Sequence, residues 1–137
     1  MKLSLNGVNL IEQSEGLRLS VYLDNGKPCI GYGHDLLPGE SFPNGIDQSE
    51  ALSLLEKDVA PLLNVIEREC PQANQNQIDS LCDFGYNLGI GDLETMLGHG
   101  FDQVPFQMPR WDYNKGVPDP KILARREREV ALFNTPC

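Results

Sequence analysis

The chain has 137 residues, 40% hydrophobic and 23% charged, a balance that supports one packed domain or two small lobes sharing a core and excludes a disordered chain. With 20 acidic against 11 basic residues the formal net charge is −9, which excludes nucleic acid and anionic membrane as expected partners, because phosphates demand a positive surface. No apolar run approaches the roughly 20 residues of a membrane span, and the start, Met1 to Asn9, lacks the apolar stretch and cleavage site of a secretory signal.

In chain order, residues 6–20 read as a helix with Val8, Leu10 and Ile11 facing inward and Glu15 toward its C-terminal end. Val21-Tyr22-Leu23 and Cys29-Ile30-Gly31-Tyr32-Gly33-His34 flank the turn-forming Asp24-Asn25-Gly26-Lys27-Pro28, which predicts a β-hairpin. A polar loop through Pro38, Gly39, Pro43, Asn44 and Gly45 follows. Asp47 with Glu50 three residues later predicts a capping box. The helix it opens carries Leu52, Leu55, Val59, Leu62 and Ile66 as one apolar stripe. Pro61 inside that stripe predicts a kink or a break; unbroken, the helix is long enough to bridge two lobes. A second helix over about 74–88 places Ile78, Leu81, Cys82 and Gly85 on one side and ends at Gly89. Residues 91–98 read as a short helix. Residues 99–120, rich in Gly, Pro and aromatics, are not assigned regular structure as a whole. The last helix, about 120–133, is basic and ends at Leu132-Phe133.

Cys29, Cys70, Cys82 and Cys137 show no Cys-x-x-Cys spacing, and His34 and His99 stand alone, so neither a metal site nor a cofactor is expected. Free thiols are the expectation for a chain without an export signal, with a disulfide between some pair left open for one that works outside the cell. Arg110, Lys115, Lys121, Arg125, Arg126 and Arg128 give the end of the chain its own positive character.

Two carboxylates stand out. Glu15 ends a helix and Asp24 sits at the mouth of the hairpin, with Gly16-Leu17-Arg18-Leu19 between them to turn the chain. A helix end and a neighbouring hairpin can face each other across a cleft. Glycoside hydrolysis needs such a pair, about 6.5–9.5 Å apart for inversion and closer for retention. The spacing alone equally fits two surface acids, with Asp24 a turn acid beside Asn25-Gly26.

The surrounding residues narrow the choice. Glu15-Gly-Leu-Arg-Leu-x-x-Tyr22-x-Asp24, followed by Ile30-Gly-Tyr-Gly-His34, resembles the bacteriophage-type lysozymes, the endolysins of glycoside hydrolase family 24. Gln75-Asn76-Gln77-Ile78-Asp79-Ser80-Leu81 and Phe84-Gly85-Tyr86-Asn87-Leu88-Gly89 resemble that family's central buried helix. Arg110-Trp111 and Arg125-Arg126-x-x-Glu129-x-x-Leu132-Phe133 are similar to its C-terminal signature. The resemblance covers nearly the whole chain, in order.

It implies an α+β, mainly α, lysozyme-like fold over residues 1–137. A small hairpin lobe (about 1–58) and a helical lobe (about 59–137) would be joined by a long helix, with the active-site cleft between them. It implies hydrolysis of the β-1,4 bond between N-acetylmuramic acid and N-acetylglucosamine in peptidoglycan, leading to cell-wall lysis. Glu15 would be the acid that protonates the leaving oxygen, and Asp24 would stabilise positive charge at the sugar or orient the attacking water. The family brings an arginine of its last helices near this glutamate; Arg125 and Arg126 are the candidates.

Tyr86 and Asn87 stand where the family lines its sugar cleft, although Tyr86 equally fits a core position, and Trp111 reads as a core or cleft-edge aromatic. His34 is expected to fix structure through a carboxylate. The family's third catalytic position, a threonine that holds the nucleophilic water, is Cys29 here, and a thiol is a far weaker hydrogen-bond partner than a hydroxyl. Cys29 also fits a small apolar filler of the sheet. The hairpin before it and the segment between Gly91 and Trp111 are both shorter than the family pattern. Two rival readings keep the scaffold: a lytic transglycosylase, and a wall-binding protein without activity. The expected partners are peptidoglycan glycan strands acted on by a monomer, with a holin for release from the producing cell's cytoplasm to the wall, and no stable membrane association.

Overall fold

In the computed structural model, which describes all of residues 1–137, six helices and two small antiparallel sheets follow one another along the chain. Helix α1 (Leu5–Glu15) is shorter than the expected 6–20 because Gly16, at φ +74°, ends it directly after Glu15. A left-handed residue cannot continue a right-handed helix, and glycine takes that conformation at least strain. Residues 18–20 belong instead to strand β1 (Arg18–Asp24), which pairs with β2 (Lys27–Gly31). Asn25 (φ +51°) and Gly26 (φ +81°) form the two-residue turn that this sequence favours. A short third strand, β3 (His34–Asp35), pairs with β2, giving the order β1-β2-β3.

Helix α2 (Gln48–Glu69) opens with the expected capping box: Asp47 accepts from the Glu50 backbone N–H at 2.7 Å, and Glu50 accepts from that of Asp47. The expected break at Pro61 does not occur; the 22 residues form one helix. An interior proline costs about 3 kcal/mol. Here its ring faces solvent, while Val59, Leu62, Val65 and Ile66 on either side are buried, each worth roughly 1.5–3 kcal/mol. Burial wins.

Helix α3 (Gln75–Leu88), capped by Asn74, packs against α1, α2, α4 (Ile90–Leu97) and α6 (Pro120–Phe133). That position explains why burial surrounds it from Ile78 through Gly85, polar Asp79, Ser80 and Asp83 included, rather than lying on one side as the apolar spacing suggests. Gly85 lets α2 come close, since a Cβ there would stand 2.7 Å from a Leu62 methyl. Between α4 and α6 the chain is more regular than its composition suggests. Two 3-10 turns (Phe101–Gln103 and Met108–Arg110) flank a single turn, α5 (Val104–Gln107). A second hairpin, β4 (Tyr113–Asn114) with β5 (Val117–Pro118), turns on Lys115 and Gly116 at φ +53° and +80°. One buried apolar cluster runs from Ile11 and Ile30 through α2 and α3 to Met108 and Phe133, tying the sheet to the helices. No helix is long and apolar enough to cross a membrane.

Candidate active site

Because α1 stops at Glu15, that side chain projects from a helix end toward the loop joining β2 to β3. Glu15 Oε1 accepts a hydrogen bond from Arg125 Nη1 at 3.0 Å. Its other oxygen lies against Gly33, where a Cβ would come within 3.0 Å of Oε2. Gly33 (φ +88°) is therefore required twice over, by backbone conformation and by this contact. Glu15, Asp24, Gly33, His34, Asp35, Leu37, Asp58, Tyr86 and Asn87 line one open cleft of about 450 Å³. The wider opening, beside Ser20, Val21 and Phe42, contains none of the candidate catalytic carboxylates.

Arg125 comes from α6 and is buried. It donates to Asp83 through Nε (3.0 Å) and Nη2 (2.8 Å), as well as to Glu15. Burial alone would discourage its charge, but Asp83 above all, then Glu15 and Glu129, raise its pKa beyond the ordinary arginine value. Arg125, not Arg126, is the arginine beside Glu15. Successive residues on a helix point about 100° apart, and Arg126 is turned the other way. It is fully buried over the Phe84 ring (4.9 Å to the centroid), with Nη2 donating to Asn87 Oδ1 at 2.8 Å and to Glu129 at 2.9 Å. Burial lowers the pKa of Arg126 and raises that of Glu129 well above the carboxylate range, with neighbouring Asp83 adding to the latter. The basic run is thus partly interior, rather than the positive face its composition suggests.

His34 is clamped between two carboxylates, Nδ1 at 2.7 Å from Asp58 and Nε2 at 2.8 Å from Glu40. Burial opposes its charge, yet the bonds to Glu40 and Asp58 outweigh burial and raise its pKa. Burial likewise raises that of Asp58, against the pull of His34. Tyr86 donates its hydroxyl to the Tyr32 carbonyl at 2.8 Å, and burial holds that phenol protonated. This bond fixes the Tyr32-Gly33 backbone on which Glu15 rests.

Of the candidates, Glu15, Asp24, His34, Tyr86 and Asn87 line the cleft, Arg125 stands behind Glu15, and Arg126 behind Asn87. Cys29 is buried in the sheet and does not line the cleft; its thiol bonds Asp35 Oδ1 at 3.1 Å. Trp111 packs edge-on to Phe84 at 5.8 Å, outside the cleft lining. All four thiols are free, and no His/Cys/Asp/Glu group has the arrangement of a metal site. Sequence reasoning passed over Asp35, Asp58, Glu40 and Asp83. Only Asp83 carried a signal, as an acid within the apolar run Leu81-Cys82-Asp83-Phe84, where a buried charge must find a partner.

The sequence model of the phage lysozyme family matches residues 12–129. The chain belongs to the phage lysozyme family. It is 34% identical to the endolysin of Salmonella phage P22, over 97% of this chain and 98% of that one. It is 32% identical to the endolysin of Bacillus phage PZA over 98% of this chain, but spans only 56% of that relative's length. Its fold superposes on the muramidase domain of SpmX from Asticaccaulis excentricus with a TM-score of 0.80 and 28% identity, covering 98% of this chain and 99% of that one. The phage lysozyme motifs thus meet in one place: Glu15, Asp24 and, from the Gly-Tyr-Gly-His run, Gly33 and His34 line the cleft.

Proposed function

We propose that this protein is an N-acetylmuramidase that hydrolyses the β-1,4 bond between N-acetylmuramic acid and N-acetylglucosamine in peptidoglycan. The observation that carries this reading is Glu15, fixed between the Arg125 guanidinium and the Gly33 backbone and sharing one open, carboxylate-lined cleft with Asp24. Glu15 protonates the departing oxygen, and Asp24 balances the positive charge that develops at the sugar carbon. Tyr86 and Asn87 form the wall against which the sugar lies. Arg125 orients Glu15, Arg126 orients Asn87, and His34 braces α2 against the polar loop. The cleft lies between a hairpin lobe (about 1–58) and a helical lobe (about 59–137). The enzyme works as a monomer on glycan strands, is made in the cytoplasm of the producing cell and reaches the wall through a holin.

Mass spectrometry of material released from purified sacculi tests the reading. Hydrolysis leaves reducing muramic ends, transglycosylation leaves 1,6-anhydro ends, and a wall-binding protein releases nothing. Reducing ends are expected, with release falling by about 10²–10⁴ in Glu15→Gln, the usual worth of a positioned acid. Anhydro ends, no release, or a Glu15→Gln variant as active as the wild type each overturn it.

A further inference from the structure

The sheet offers the cleft a carboxylate where the sequence withholds a hydroxyl. Tyr22 pairs with Cys29 across β1 and β2, and Cys29 pairs with Asp35 across β2 and β3. Directly opposed residues on antiparallel strands project to the same face. Tyr22, Cys29 and Asp35 therefore form one row, and Asp24, two residues after Tyr22, shares their face. Of this row Asp35 is the member that lines the cleft with Glu15 and Asp24, and it is exposed there. Cys29 is 2% exposed and directs its thiol at Asp35 Oδ1, 3.1 Å away. Burial, then Asp35 itself, pushes that thiol up to about 11. At neutral pH Cys29 is a neutral thiol with two acceptors in reach, Asp35 Oδ1 at 3.1 Å and the Lys27 carbonyl at 3.6 Å, of which the carboxylate is the nearer and the stronger; it is neither a nucleophile nor a holder of water.

The other cleft carboxylates are differently engaged: Glu15 is bonded to Arg125, and Asp58 to His34. Asp24 sits at the turn and makes no side-chain hydrogen bond to another residue that would fix it. We propose that Asp35 is the general base of this enzyme, held through one oxygen by Cys29 and presenting the other to the attacking water. The proposal rests on the muramidase reading and deepens it. In the step, the water oxygen forms a bond to C1 of the muramic residue while the bond from C1 to the glucosamine O4 breaks. The water proton passes to Asp35, the departing electron pair goes to O4, and the Glu15 proton joins it. Charge is conserved, and solvent returns one proton from Asp35 to Glu15. A carboxylate in this place can remove the water proton, which a neutral thiol or hydroxyl could only orient.

The test compares the wild type, Asp35→Asn, Cys29→Thr and the double variant on purified sacculi and on a soluble glycan oligomer, with thermal unfolding of each. Asp35→Asn should lower kcat by about 10²-fold or more, with KM within twofold and the acidic limb of the pH profile lost. Cys29→Thr alone, whose hydroxyl can still bond Asp35, should keep activity; added to Asp35→Asn it should return none of it, because position 29 is buried behind the cleft. Asp35→Asn within threefold of the wild type overturns the proposal. So does a loss that follows unfolding or KM and leaves the pH profile in place. Failure of the parent reading looks different: the wild type itself then releases no reducing ends.

Discussion

A single methyl group at Gly33 separates backbone strain from catalytic geometry. Gly33 sits at φ +88°, and a Cβ there would stand 3.0 Å from Glu15 Oε2. Gly39 sits at φ +86° with nothing within 4 Å of the same built atom. Alanine in the left-handed region costs about 1–2 kcal/mol at either position. With an unfolding entropy of about 2.1 cal/mol/K per residue, that is a Tm loss of about 4–7 °C in a chain of this size. Gly39→Ala should show this loss and keep its activity. Gly33→Ala should show a similar loss and must also move a carboxylate that Arg125 grips by its other oxygen.

A displacement of about 1 Å at a catalytic group is worth up to ~10²-fold in rate; the clash here needs a few tenths of an ångström, so a fall on the order of tenfold is expected. The assay is the initial rate of muropeptide release at a temperature where both variants are folded, beside their melting curves. Equal activity in the two variants would show that the contact between Glu15 and Gly33 has no bearing on turnover. Equal loss in both would assign the effect to strain alone.

Three further outcomes follow from burial and charge. Asp83→Asn takes from buried Arg125 the carboxylate that holds two of its nitrogens and should destabilise by about 3–5 kcal/mol, read by urea unfolding, with activity falling as Arg125 loses its anchor. The pKa of His34 is raised by Glu40 and Asp58 against burial, so the folded state holds the proton more tightly than the unfolded chain. Its contribution is complete below about 6.5 and is lost as pH rises through the raised value; the wild type should therefore lose stability over that window relative to His34→Gln. With iodoacetamide at pH 8, Cys137, which is exposed, should be alkylated first, while buried Cys29, Cys70 and Cys82 stay protected, as peptide mapping would show.

Much of this was legible in the sequence, and the gaps have definite physical causes. The start of α2 could be read because a cap acts locally, Asp47 with Glu50; the span of α6 agrees with the expected 120–133, and the structure adds Asp119 as its cap and Pro120 in its first turn. The early end of α1 was missed because Arg18, Leu19 and Ser20, all exposed in β1, carry no burial pattern to set a strand against a helix. The hairpin at Tyr113 to Pro118 turns on Lys115-Gly116 but has only two residues on each side, too few to show alternation. Glu15 and Asp24 could be paired from their motif. The partner of Cys29 could not, since it depends on the register of β3 against β2. Nor could sequence decide between Arg125 and Arg126; one step of about 100° around a helix separates an arginine on Glu15 from one on Asn87.

The acids and bases gathered around α3 and α6 raise a question of purpose that energetics answers. Arg125, Arg126, Asp83 and Glu129 are all buried; taking charges out of water costs several kcal/mol per ion, a cost that Glu129 avoids by holding its proton. Arg126 Nη1 has no hydrogen-bond partner, and Arg126 Nε, though 2.7 Å from Glu129 Oε1, lacks hydrogen-bond alignment. Well-packed apolar side chains of similar volume in place of buried ion pairs are often neutral or stabilising. What they would not supply is a guanidinium directed at Glu15 from one side of α6 and another directed at Asn87 from the next. The network is better understood as orientation than as cohesion. The buried parts of α3 and α6 are thereby tied to two residues of the cleft lining, Glu15 through Arg125 and Asn87 through Arg126.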